Sequence, residues 1–145
     1  MVPQFKPKDI LMLGFADGTT AGLIRLIHGK VPITAVDIKP CKSNYGVKFF
    51  QADAREFIKT CNSYDCVIVD LFSDKDEDPS DFIFSEEFVK NLKRICNYLI
   101  INITSENDMH EYRKVFGRFG SNKPNRLSNR IYYYGNKDYN HLIIR

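Results

Sequence analysis

No apolar run in this sequence approaches the ~20 residues that a membrane-spanning helix needs. The opening residues, Met1-Val2-Pro3-Gln4-Phe5-Lys6-Pro7-Lys8, contain no signal-peptide h-region. Both absences lead to the expectation of a cytoplasmic protein with no membrane partner. Cysteine is scarce and unpatterned. Cys41, Cys61, Cys66 and Cys96 form no Cys-x-x-Cys pair, and no histidine stands at metal-ligand spacing from them. That argues against a zinc or redox motif and predicts reduced thiols, with Cys66 and Cys96 in or beside apolar strands. No metal site is expected. Excess charge of one sign is also small. The net charge is +3, too little by itself to argue for nucleic acid. There is no internal repeat, no low-complexity segment and no Gly-Lys-Ser/Thr of a P-loop.

What is present is an ordinary globular composition. The 145 residues fit one domain, 1–145, around one core. Ile10-Leu11-Met12-Leu13 is a short apolar run that ends at Gly14, the pattern of a strand buried on both faces. Thr19 to His28 has helical spacing at Ala21, Leu23, Ile24 and Ile27, and Gly29 stops it. Ile33 to Val36 and Val47 to Phe50 read as the next strands, and Ala54 to Thr60 as a short helix with Phe57 and Ile58 inward. Cys66 to Val69 is the most strand-like run. Ser85 caps a helix that runs to about Ile95 and has Glu86 and Glu87 in its first turn. Tyr98 to Ile103 reads as the fifth strand and Glu106 to Phe119 as an amphipathic helix. Arg130 to Tyr134 and Tyr139 to Ile144 read as a closing hairpin around Gly135-Asn136-Lys137-Asp138. Gly117 to Asn129 reads as a polar connector. Alternating strands and helices predict an α/β fold with a mostly parallel sheet covered by helices, plus a C-terminal antiparallel hairpin.

In such sheets the ligand sits at the carboxyl ends of the strands. Each of the first four strand ends carries an acidic residue at or just past the tip. The first is followed by Gly14-Phe15-Ala16-Asp17-Gly18, the second by Asp37, the third by Asp53-Ala54 and the fourth by Asp70. Folding does not need carboxylates there, and their mutual repulsion costs stability. Glycine lets the backbone approach a ligand, and a carboxylate after the second strand can accept ribose hydroxyls. Asp53 also has the position of a helix N-cap. Asp17 inside the turn would repel a diphosphate, and Gly14, Ala16 and Thr19 make only a degraded dinucleotide fingerprint. The set suits a cationic ligand, such as a sulfonium nucleoside with an amino group.

Five segments together resemble the catalytic domain of the spermidine synthases. They are Ile10 to Thr19, Val36-Asp37, Gln51 to Phe57, Tyr64 to Asp74 and Phe84-Ser85-Glu86-Glu87-Phe88. Those polyamine aminopropyltransferases share the Rossmann-like class I methyltransferase fold, and the similarity covers roughly residues 9 to 103. The resemblance implies S-adenosylmethionine or decarboxylated S-adenosylmethionine as cofactor. It places Gly14, Phe15, Ala16, Asp17, Gly18, Asp37, Ile38, Asp53, Ala54 and Asp70 at the adenosyl ligand. By that likeness Asp17 holds the tail amino group, Asp37 the ribose hydroxyls and Asp53 the adenine amino group, with Ala54 beside the ring. Asp70 matches the catalytic carboxylate that orients and deprotonates an attacking amine.

The chain departs from the family in three places. The family's second acidic residue in the Asp70 loop falls at Ser73, with Asp74 displaced by one. The helix between the second and third strands is nearly gone, since only Ile38 to Gly46 separate Asp37 from Val47. The first strand begins within ten residues of Met1, so the family's N-terminal β domain is not expected.

Three functions compete. The first is a transferase that moves a methyl or aminopropyl group to a small acceptor, for which the acidic loop Asp74 to Asp81 would suit a cationic amine. The second is an RNA or DNA methyltransferase, using the basic residues after Arg113 and the aromatics Tyr132, Tyr133 and Tyr134. Against it stand the lack of an Asn/Asp-Pro-Pro-Tyr segment and of a Pro-Cys nucleophile, and an incomplete Lys-Asp-Lys-Glu set. The third is a non-catalytic module that keeps a nucleoside pocket. The tyrosine run reads as a strand with one buried face; an exposed face would instead serve a homodimer.

Overall fold

The computed structural model describes residues 1–73, 80–104, 107–122 and 129–135. The elements are β1 (Ile10–Leu13), α1 (Thr19–His28), β2 (Ile33–Asp37), β3 (Lys48–Gln51), α2 (Ala54–Thr60), β4 (Tyr64–Val69), α3 (Glu86–Ile95), β5 (Cys96–Thr104), α4 (His110–Phe116), β6 (Gly120–Asn122) and β7 (Asn129–Tyr134). A short 3-10 turn, Asp81–Phe84, precedes α3. The seven strands form one sheet in the order β3-β2-β1-β4-β5-β7-β6. The first five are parallel, and β7 and β6 close the edge antiparallel. The α/β reading and its C-terminal antiparallel pair hold.

The pair differs in one member. β6 lies at Gly120–Asn122, inside the segment read as a connector, and pairs with β7. Three residues without apolar alternation carry no strand signature; pairing with a neighbour makes the strand. The expected partner Tyr139 to Ile144, the turn Asn136 to Asp138 and most of the acidic loop (residues 74–79) lie outside the described residues. So do Lys123, Arg126, Lys137 and Arg145. α4 is shorter than expected, beginning after buried Met109 and ending at Gly117. Among the described residues no helix is long and apolar enough to cross a membrane.

Strand alternation splits the core in two. Leu11, Leu13, Val67, Val69, Leu99 and Ile101 face α2, α3 and α4. Ile10, Met12, Cys66, Ile68 and Ile100 face α1. Cys66 and Cys96 are buried free thiols, and burial pushes both upward, Cys96 to about 12. They are inert core residues, as expected.

The three-helix face is well tied. Ser85 Oγ accepts from Phe88 N, the predicted N-cap of α3. Arg94 of α3 donates to the carbonyls of Ile58, Lys59 and Cys61 and so satisfies the C-terminal end of α2. Among the described residues the other face carries one helix, α1, with the N-terminal segment packed beside it through Met1, Val2 and Phe5. Of the four apolar residues with helical spacing, Ala21 and Ile24 are buried, whereas Leu23 and Ile27 are 44% and 62% exposed. Helical spacing shows only that a second apolar face exists. The segment between β2 and β3 is a loop here and supplies no helix to cover that face of α1.

Candidate functional site

The strand order reverses at β1, which has β2 on one side and β4 on the other. Beyond the last strand residues the ladders continue for one bond each. Gly14 N donates to Val36 O (2.9 Å) and Asp70 N to Leu13 O (2.8 Å). The ends of β1, β2 and β4 are therefore held edge to edge at the switch point, where open α/β sheets place their ligands.

The glycine turn is shaped by these neighbours. Gly14 has φ +88°, and a Cβ there would stand 2.1 Å from the Asp70 carbonyl oxygen. No side chain fits between the two strands. Ala16 (φ +49°) and Gly18 (φ +80°) also lie in the left-handed region. The carboxylate of Asp37 holds this backbone in place. Its Oδ2 accepts from Phe15 N (2.8 Å) and Ala16 N (3.1 Å), and its Oδ1 accepts from Lys39 N (2.9 Å).

A cavity of about 440 Å³ opens over this turn, within the range of small-molecule sites, roughly 300–1,000 Å³. Its described walls include Gly14 and Ala16 from the turn, Asp37 and Ile38 after β2, and Asp53 and Ala54 at the head of α2. Asp70 to Ser73 close it after β4, and Ser80 and Phe82 after the acidic loop. Ser80 N donates to Leu71 O (3.0 Å), so the two described ends of that loop meet at the cavity. Tyr112, fully buried, donates its hydroxyl to Ile83 O (2.7 Å) and fixes the turn that carries Phe82.

Seven of the ten residues read from the sequence thus share one cavity: Gly14, Ala16, Asp37, Ile38, Asp53, Ala54 and Asp70. Phe15, Asp17 and Gly18 are not on its wall. Phe15 is buried, with its ring 5.7 Å from that of Phe49, and anchors the turn in the core. Gly18 starts α1. Asp17 is exposed, and its Oδ1 accepts from Thr19 N (3.0 Å), a bond that holds its carboxyl below the ordinary value.

The three acidic groups in the cavity differ in state. Asp53 caps α2 through Arg55 N (2.8 Å) and takes the Arg55 guanidinium on both oxygens. Its pKa is held down by that guanidinium. Arg55 also lies over the Phe82 ring at 4.8 Å, so a cation closes one side of the cavity. Asp70 is partly buried, and burial raises its pKa; a bond from Asn102 and the Met1 ammonium pull less strongly the other way. Asn102 Nδ2 donates to Asp70 Oδ1 at 3.0 Å, and Asn102 Oδ1 is buried with no hydrogen-bond partner among the described residues. Neither Asn102 nor Arg55 was singled out from the sequence. For Asn102 a signal existed: an amide interrupts the apolar run of β5 between Ile101 and Ile103.

The donor chemistry fits an adenosyl ligand. Carboxylates and glycine-turn backbone line the cavity, and the P-loop elements for a polyphosphate are missing. Among the described residues no cluster of metal-ligating side chains exists.

No protein-family model matches the chain. A polyamine aminopropyltransferase from Sulfurisphaera tokodaii is 29% identical over 113 residues, covering 66% of this chain and 37% of that protein. The chain thus matches little more than a third of the length of that relative. Human Methyltransferase-like protein 13, solved in complex with SAH, has a TM-score of 0.78 at 18% identity, covering 89% of this chain and 72% of that one. A spermidine synthase in complex with the transition state analogue AdoDATO has a TM-score of 0.66 at 16% identity, covering 92% and 57%. The fold is that of the Rossmann-like methyltransferases, and the chain is similar to the spermidine synthases, as its motifs suggest.

Proposed function

We propose that the chain is a transferase that binds S-adenosylmethionine or its decarboxylated form in this cavity and transfers a methyl or aminopropyl group. The observation that carries the reading is Asp70. It is a partly buried carboxylate with a raised pKa, in the same cavity as the glycine turn and Asp37. The likeness to a polyamine aminopropyltransferase and to SAH- and AdoDATO-bound structures supports the same ligand class.

The bound nucleoside supplies an electrophilic carbon beside a sulfonium; the chain's own residues do the rest. Asp37 binds the ribose. A carboxylate has about four acceptor sites, and three are occupied by the turn and Lys39 N, which leaves one for a hydroxyl. Ala54 and Ile38 flank the base. Asp53 receives the adenine amino group once the Arg55 guanidinium has moved aside. Gly14, Phe15, Ala16 and Gly18 shape the turn under the ligand, and Asp17, which is off the cavity wall, takes the tail amino group only where the tail projects beyond that wall. Asp70, oriented by Asn102, accepts a proton from the attacking group; its raised pKa makes it a better base. Electrostatically, the same carboxylate favours a cationic or amine acceptor.

A non-catalytic nucleoside-binding module is the second reading, favoured by Ser73. It lines the cavity where the resemblance would place a second acid. Calorimetry with S-adenosylmethionine, its decarboxylated form and S-adenosylhomocysteine tests ligand binding, and no heat at millimolar ligand overturns both readings. Label transfer from each bound donor to diamines or RNA then separates them. A module binds and transfers nothing; a transferase marks one acceptor class.

A further inference from the structure

The exposed large apolar side chains among the described residues all fall between residues 23 and 50. Four of them form one surface. α1 turns Ala21 and Ile24 to the sheet and leaves Leu23, Leu26 and Ile27 outward, Leu26 at 83% exposure. Tyr45, itself 47% exposed, lies along the same helix, its ring 3.3 Å from where a Cβ at Gly22 would stand. Arg25 donates to Tyr45 O (3.1 Å) and Gly46 O (3.0 Å) and fixes the loop against α1. A helix apolar on both sides is one suited to burial on both sides, and the sheet covers only one. None of the four residues lines the cavity.

The charge around this face selects what can cover it. Along α1 and the loop pinned to it the sequence carries Arg25, Lys30 and Lys42; the one carboxylate there outside the cavity, Asp17 at the head of the helix, accepts from Thr19 N, and Lys39 lines the cavity. Lys30 follows α1 and Lys42 precedes Tyr45 in the pinned loop, and both are exposed. Two such faces brought together would set cation against cation, which works against a second copy of this chain. A partner whose apolar contact is flanked by carboxylates is attracted instead.

We propose that the outer face of α1, with Tyr45, is a docking surface for a protein partner that presents apolar side chains flanked by Asp or Glu. The surface needs no ligand in the cavity and holds whether or not the chain is a transferase.

The test uses the whole chain and two synthetic amphipathic helical peptides with the same leucine stripe, one flanked by Glu and one by Lys. Fluorescence anisotropy should show the Glu peptide binding about tenfold or more tightly than the Lys peptide, with affinity falling as salt rises. Leu26→Glu should weaken the Glu peptide about tenfold or more while circular dichroism and melting temperature stay unchanged. Lys30→Glu should weaken it less, through charge alone. Equal binding of the two peptides, or none, overturns the proposal. So does a dimer in sedimentation velocity that Leu26→Glu splits, which would make a second copy the occupant. Binding of the wild type, and not of Leu26→Glu, to phosphatidylserine vesicles would assign the face to lipid instead.

Discussion

Asp37 and Asp70 stand at the tips of the two strands that flank β1, yet they are bonded differently. Asp37 accepts three backbone N–H groups and braces the turn that carries Gly14. Asp70 receives one side-chain bond from Asn102, and burial raises its pKa. A carboxylate that accepts several backbone N–H groups braces the backbone, whereas a buried one with few donors has its neutral form favoured. The β2 side of the cavity is thus braced by backbone hydrogen bonds, and the β4 side carries a partly buried carboxylate with one side-chain donor.

Breaking the braced side should have the largest effect. Gly14→Ala places a methyl group 2.1 Å from the Asp70 carbonyl at positive φ, and should cost more than about 4 kcal/mol. The expected outcome in urea denaturation is a protein that is largely unfolded or has a greatly lowered midpoint. Asp37→Asn replaces a four-site acceptor by one with a single carbonyl oxygen and leaves at least one of the three N–H groups, of Phe15, Ala16 and Lys39, unpaired. A loss of about 1–3 kcal/mol is expected, with nucleoside affinity lowered as well; urea melts and calorimetry read the two effects.

Changing the β4 side should leave the fold alone. Asp70→Asn should lower turnover roughly 10²–10⁴-fold and change S-adenosylhomocysteine affinity little. A drop in affinity as large as the drop in turnover would give Asp70 a binding role instead. The sign of its pH effect follows from its raised pKa. Between the ordinary carboxyl value of 3.8 and the raised one, the unfolded chain is deprotonated while the native state keeps the proton. Wild-type stability therefore falls as pH rises through that window. The Asn variant lacks this loss, so the difference between the two urea midpoints should grow with pH and then level off.

The smallest effect is expected at Ala16, whose φ of +49° is costly for a residue with a Cβ, by about 1–2 kcal/mol. Glycine removes that strain and adds roughly 0.5–1 kcal/mol of chain entropy cost. Ala16→Gly should thus be neutral or stabilising by up to about 1 kcal/mol, read as a small rise in melting temperature.

Much of this was legible in the residues. The apolar runs ending at Gly14, Asp37 and Asp70 marked three strand tips, because strands buried on both faces must be continuous in apolar residues. Ser85 announced α3. The less legible features depend on which partner a side chain takes in the folded chain. Asn102 reaches Asp70 across 32 positions. Arg55 takes both oxygens of an aspartate read as an adenine contact. Asp17 accepts from Thr19 N and is not among the residues that line the cavity. The apolar spacing of α1 was visible; that half of it would face outward was not, since exposure depends on what stands beside a helix.

The sequence by itself determined the alternating order of strands and helices and the placing of an acid after each of the first four strands. Both are local: one is a periodicity of apolar residues and the other a position next to a strand end. The tertiary structure alone decided which acid braces the backbone and which stays chemically available. It also decided which side of α1 is left exposed. Those states depend on which N–H groups, cations and apolar surfaces the fold brings within a few ångströms, and no stretch of sequence contains that information alone.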